Sequence, residues 1–110
     1  MKVAIIGGSY KHLKLVDNEL ESLIEESGNY IFTVIGGYIK ECGNPTLGQL
    51  YANRRGVPYI PTEYKNLDQL MHGTAAAADY IIFMNDGSQL MKRFIMTYMQ
   101  TGKHGSVINI

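Results

Sequence analysis

The sequence predicts an α/β fold, a three-layer sandwich in which helices cover both faces of a five-stranded parallel sheet. Three observations carry the prediction. Short apolar runs without alternation, of the kind buried on both sides of a parallel sheet, occur at Lys2-Val3-Ala4-Ile5-Ile6 and at Tyr80-Ile81-Ile82-Phe83-Met84. Between the extended runs lie stretches whose apolar residues repeat every 3.6 positions, the period of a helix with one buried face. The two kinds of segment alternate along the chain, which is the pattern of linked βαβ units with right-handed crossovers.

The first strand stops on Gly7-Gly8-Ser9-Tyr10. From Leu13 to Ser27, residues Leu13, Val16, Leu20, Leu23 and Ile24 fall on one helical face, and Gly28-Asn29 ends the helix. Ile31 to Ile35, β-branched and aromatic, reads as the second strand. Gly36 to Asn44 then reads as a loop, long for a strand-to-helix connection. Asn44-Pro45 opens a helix running to about Arg55, with Asn44 as cap, Leu47, Leu50 and Tyr51 inward, and Gly56 closing it. Val57 to Ile60 is a short strand that Pro58 places at a sheet edge and Pro61 ends. Lys65 to Ala78 forms a weaker helix, inward at Leu67, Leu70, Met71 and Ala75, with Gly73 as a break point. Tyr80 to Met84 is a central strand. The last helix, from Ser88 or Gln89 to about Thr101, carries more apolar residues than one sheet face requires. Gly102 ends it, and Ser106 to Ile110 supplies the fifth strand.

A chain of 110 residues fits one domain, residues 1–110, with a core that needs no covalent staples. Ten basic and ten acidic residues leave no net charge, so the footprint of a nucleic-acid binder is missing and a nucleotide is the better-matched partner. Cys42 stands alone, which excludes an internal disulfide and fits a reducing compartment. No Cys/His cluster has metal-ligand spacing, and the apolar runs are too short for a signal or membrane segment, so the expectation is a cytoplasmic protein with no membrane partner.

In open α/β sheets ligands bind beyond the carboxyl ends of the strands, where glycines let backbone amides approach a phosphate. Strand ends of that kind recur here as Gly7-Gly8-Ser9-Tyr10, Gly36-Gly37-Tyr38 and Asn85-Asp86-Gly87-Ser88. The expectation is one shared crevice in which amides of Gly8, Ser9, Gly37, Gly87 and Ser88 cradle a phosphate. Tyr38 would stack on a base or sugar, and Asp86 would accept from a ribose hydroxyl. Asn44 and Thr46 stand at a helix amino terminus facing the same crevice, where the helix dipole favours an anion. Each of these residues also has a purely local use, as a turn, a cap or an Asx bond.

The order Lys2-Val3-Ala4-Ile5-Ile6-Gly7-Gly8-Ser9, Val34-Ile35-Gly36-Gly37, Leu50-Tyr51-Ala52-Asn53-Arg54-Arg55-Gly56-Val57-Pro58 and Ala78-Asp79-Tyr80-Ile81-Ile82-Phe83-Met84-Asn85-Asp86-Gly87 resembles small stand-alone members of the SLOG superfamily. These are Rossmann-like domains related to the DNA-processing protein DprA and to the cytokinin-activating LOG enzymes. The resemblance implies a pocket for a nucleotide or nucleotide derivative over the strand ends. It also has departures. Tyr38-Ile39-Lys40-Glu41-Cys42-Gly43 replaces the relatives' Gly-Ala-Asp turn, and Leu70-Met71-His72-Gly73 replaces an Arg-Asn pair. Ser88-Gln89-Leu90-Met91 stands where Gly-Thr and a glutamate follow in the phosphoribohydrolases, so the hydrolytic residues of those members are not carried over.

Three functions follow as expectations: a binding protein for a nucleotide or nucleotide-derived ligand, without catalysis; an N-glycosidic hydrolase or transferase using Glu41 or Asp86; or an assembly protein with a vestigial pocket. The apolar surplus on the helix of residues 88–101 further predicts a homo-oligomer formed through it.

Overall fold

The computed structural model describes residues 1–28, 32–39 and 46–110. It is an α/β sandwich of three layers, with elements β1 Lys2–Ile6, α1 Leu13–Ser27, β2 Thr33–Ile39, α2 Leu47–Arg55, β3 Tyr59–Tyr64, α3 Leu67–Ala77, β4 Tyr80–Asn85, α4 Gln89–Met99 and β5 His104–Asn109. A short 3₁₀ turn, Tyr10–His12, leads into α1. All the strands are parallel and lie in the order β3-β2-β1-β4-β5. The chain builds outward from β1 to β3, then returns across the sheet and builds outward the other way. The reversal falls between the paired strands β1 and β4, and the chain leaves their carboxyl ends toward helices on opposite faces, α1 and α4, which is where an open α/β sheet has its crevice.

Alternate residues of the central strands serve opposite faces. Val3, Ile5, Val34, Ile82 and Met84 pack with Leu13, Val16 and Leu20 of α1 and with Leu47, Tyr51 and Ala52 of α2. Ala4, Ile35, Ile81 and Phe83 pack with Met71 and Ala75 of α3 and with Met91, Phe94 and Tyr98 of α4. The period of two in the strands meets the period of 3.6 in the helices, and each face closes its own core.

Local chemistry sets the ends. Gly28 adopts φ 67° and donates its N–H to Ile24 O, ending α1. Asn66 and Ser88 cap α3 and α4 by accepting the amides of Gln69 and Met91. Lys103 Nζ reaches back from the turn after α4 to the carbonyls of Ala75, Ala76 and Ala78, at 3.1, 2.9 and 2.9 Å, and closes the carboxyl end of α3.

Several boundaries differ from the sequence expectation, each for a tertiary reason. Strand β2 continues through Gly36 and Gly37 to Ile39, because β3 pairs with it residue for residue from Val34↔Tyr59 to Ile39↔Tyr64. Pro61 lies inside β3 rather than ending it, as an outer edge strand permits. The cap of α2 is Thr46, whose Oγ1 accepts from Gln49 N–H; Asn44 and Pro45, expected to open that helix, lie outside the described residues. Gly73 does not break α3. Leu67, expected to face inward, is 48% exposed. No helix among the described residues is long and apolar enough to cross a membrane.

Candidate functional site

The crevice is built around the end of β1. Gly7 and Gly8 both take φ +79°, a left-handed conformation that side chains rarely adopt. Space is tight there as well: a Cβ on Gly7 would stand 2.7 Å from Met91 Cε and 3.0 Å from the Met84 carbonyl, and one on Gly8 would stand 2.8 Å from Leu47 Cδ2, so neighbouring side chains would have to move. The two glycines therefore let the chain turn tightly between the helix layers, and a hollow opens on either side of Gly7.

On the α2 side the hollow is about 450 Å³, lined by Gly7, Gly8, Ser9, Tyr10, Thr46 and two leucines, Leu47 and Leu50. The amino end of α2 opens onto it, where Thr46 Oγ1 takes the Gln49 amide. The earlier amides of that turn have no partner within the helix, and the dipole end is positive. The Ser9 amide is engaged: it donates to His12 Nδ1 at 3.0 Å, while His12 N–H donates to Ser9 O at 2.8 Å. His12 thus accepts at Nδ1 and holds the turn.

On the other side a cavity of about 290 Å³ runs between α3 and α4. Its floor is Met71, Met91 and Phe94, all buried, and its rim includes Leu67 and Leu90, which are 48% and 43% exposed. Asp86 and Ser88 supply the polar corner. Ser88 N–H donates to Asp86 Oδ1 at 2.9 Å, and this bond, with the Ser88 hydroxyl, holds the Asp86 carboxyl below its ordinary range and therefore ionised at neutral pH.

The third glycine turn carries its own partners. Gly87 N–H donates to Asn85 Oδ1 at 3.0 Å, and Asn85 Nδ2 donates to Asn109 Oδ1 at 3.0 Å. The Gly87 and Ser88 amides, expected to cradle a phosphate, are instead taken by Asn85 and Asp86, and the Asp86 charge already sits at the positive end of α4.

Gly36 and Gly37 do not join Gly7. They lie within β2 on opposite faces, and each clears room for a tyrosine of β3. A Cβ on Gly36 would stand 2.1 Å from Tyr59 Oη, and one on Gly37 would stand 2.8 Å from Tyr64 Cε2. The Tyr59 hydroxyl continues to Thr46 Oγ1, 3.3 Å away, so Gly36 serves the crevice indirectly by seating the tyrosine that steadies α2. Tyr38 lies on β2 opposite Glu63. Asn44 and Glu41 lie outside the described residues. The expected convergence of three glycine ends is thus replaced by one glycine end flanked by two hollows.

Sequence reasoning did not assemble the leucine, methionine and phenylalanine walls or the His12 support. A signal was present: in a parallel α/β sheet the amino ends of helices point to the ligand edge, and Leu67 and Leu90 are apolar residues in the first turns of two helices. Among the described residues no group of three or more His, Cys, Asp and Glu is placed to hold a metal ion. No protein-family model matches the chain, and no curated protein matches it.

Proposed function

We propose that this protein binds a nucleotide or nucleotide-derived small molecule in the crevice over β1 and β4, with the anion on the α2 side of Gly7, and that it holds the ligand without chemistry of its own. One observation carries the reading. Gly7 and Gly8, both left-handed, end the central strand at the point where the sheet reverses direction, and they share a hollow with the capped amino end of a nine-residue helix. A glycine turn and the positive end of a helix dipole on one hollow favour a phosphate, and the Tyr10 ring that lines it, 71% exposed, offers a stacking surface. The SLOG resemblance points the same way, and its missing hydrolytic residues favour binding over turnover.

The test is a thermal-shift panel of adenosine and guanosine monophosphates, dinucleotides and ADP-ribose. A ligand at a hundred times its dissociation constant stabilises the fold by about 2.7 kcal/mol, which a melting curve resolves. The expected result is stabilisation that is lost in Gly8→Val and weakened in Thr46→Ala. No shift with any member at millimolar concentration removes the proposal, and release of free base on long incubation replaces it with the glycosidase reading.

A second reading concerns assembly. Met96 and Met99 on α4 are each 63% exposed, an apolar surface that a self-association contact would cover. Light scattering on the wild type and on Met96→Lys separates the oligomer from the monomer.

A further inference from the structure

The cavity between α3 and α4 has a composition that suits neither a phosphate nor a nucleobase. Its side-chain walls, away from Asp86 and Ser88, are aliphatic, thioether and aromatic and offer the polar edge of a base neither donor nor acceptor, so each group left unpaired against them would weaken binding. Its one polar corner is an ionised carboxylate that repels an anion. The Ser88 groups at that corner are engaged, since the Ser88 hydroxyl takes the Met91 amide and the Ser88 amide is given to Asp86. Among the described residues no ion pair to the carboxylate forms: Arg93 pairs with Asp68 instead, at 3.7 Å.

The burial gradient makes the same point from the apolar side. Met71, Met91 and Phe94 close the floor at 2%, 8% and 4% exposure, whereas Leu67 and Leu90 stay half exposed at the rim. A ligand seated between the two leucines would take that apolar surface out of water, which is the main source of affinity in such pockets. At the roughly 30 Å³ that a water molecule occupies in the liquid, the volume of about 290 Å³ holds about ten non-hydrogen atoms.

We propose that the α3–α4 cavity is a binding site for a small amphipathic cation, an aryl or branched-alkyl group bearing an ammonium, with the apolar part against Met71, Met91 and Phe94 and the ammonium on Asp86. The site lies across Gly7 from the anion hollow and stands whether or not a nucleotide binds there. An ammonium satisfies the carboxylate with a charge-assisted hydrogen bond, a hydroxyl does so less strongly, and a carboxylate ligand is turned away.

Three probes of one shape separate these cases: phenethylamine, phenethyl alcohol and 3-phenylpropionate. Each is titrated into the full chain while the methionine methyl resonances are followed by NMR. The expected result is saturable movement of the Met71 and Met91 methyls with the amine, weaker binding of the alcohol, and binding of the carboxylate weaker still, by about three- to tenfold relative to the amine, the effect of one exposed charge acting with opposite sign on the two probes. Asp86→Asn, an exposed substitution, closes the gap between amine and carboxylate; Leu70→Trp, which fills the cavity, abolishes binding of all the probes. Equal affinity for amine and carboxylate in the wild type overturns the proposal, as does an undiminished amine affinity in Leu70→Trp or the absence of methyl movement at about 10 mM probe, a generous concentration for a ligand this small. Adenosine monophosphate, added separately, is read at the Gly8 and Thr46 amides, so failure of the nucleotide reading leaves these outcomes intact and distinguishable.

Discussion

Tyr98 shows how one buried hydroxyl ties three elements together. Its ring packs against Phe83 with centroids 5.8 Å apart, and its hydroxyl donates to His104 O at 2.6 Å beside Asp79 O at 3.3 Å. Burial, with the nearby Asp79 charge, pushes its pKa up from 10.0 to about 12. Between these values the unfolded chain releases a proton that the folded chain keeps, so the unfolded state gains on alkalinisation. The contribution of Tyr98 is complete below pH 10 and lost as pH rises to about 12. In Tyr98→Phe the neutral-pH stability should fall by about 0.5–1.5 kcal/mol for the lost hydrogen bond, and the decline between pH 10 and 12 should become shallower. Urea midpoints measured across that window check both. Thr74 gives the opposite case, because its Oγ1 is buried without a hydrogen-bond partner among the described residues. Thr74→Val, which removes an unpaired hydroxyl at constant shape, should be neutral or stabilising by about 1 kcal/mol in the same assay.

At the scale of elements, the β2–β3 pair explains why two adjacent glycines tolerate a place inside a strand. Glycine weakens a strand unless something else fills the space it leaves. Tyr59 fills it on one face and Tyr64 on the other, and Gly73 of α3 admits the far side of Tyr64, where a Cβ would stand 2.3 Å from its ring. Gly37→Ala would press on Tyr64 and on Leu70, 3.0 Å away, and should lower stability by about 1–3 kcal/mol, the usual effect of overpacking. Gly36-Gly37 looked like the end of a strand because the sequence displays the glycines but not the rings that occupy their room. The helix ends were more legible. Ser88 and Gly28 act where local cap chemistry puts them, whereas the clamp from Lys103 to three carbonyls of α3 spans distant sequence and has no local signature. Lys103→Met leaves those carbonyls without their donor and should lower the melting midpoint, by about 1–3 kcal/mol of stability, with faster hydrogen exchange in the last turn of α3.

Across the whole molecule, burial rises toward β1 and β4 and falls toward the edges. Val3, Ala4, Ile81, Ile82 and Met84 are fully buried, while Ile60 on β3 and Val107 on β5 are 51% and 41% exposed. Native-state hydrogen exchange should therefore be slowest in β1 and β4 and faster in β3 and β5, because edge strands open without breaching the core. The outer strand β5 is nevertheless tied across the sheet, since the Ser106 hydroxyl donates to Glu19 of α1 and shares a hydrogen bond with Tyr80 of β4. This gradient puts the most deeply buried strands of the fold beneath Gly7, so the crevice stands on the part of the sheet expected to open last.

The sequence alone determined the alternation of strand and helix, the inward faces of most helices, the central place of the run at Tyr80 and the importance of Gly7-Gly8. All of these follow from periodicity and from backbone chemistry that acts over a few residues. Only the tertiary structure decided that β4 returns to lie beside β1, that Gly36 and Gly37 seat tyrosines, and that the amides after β4 are already engaged by Asn85 and Asp86. Strand order and side-chain interlock depend on contacts between residues far apart in the chain, which compete on shape and register after the local signals have all been spent.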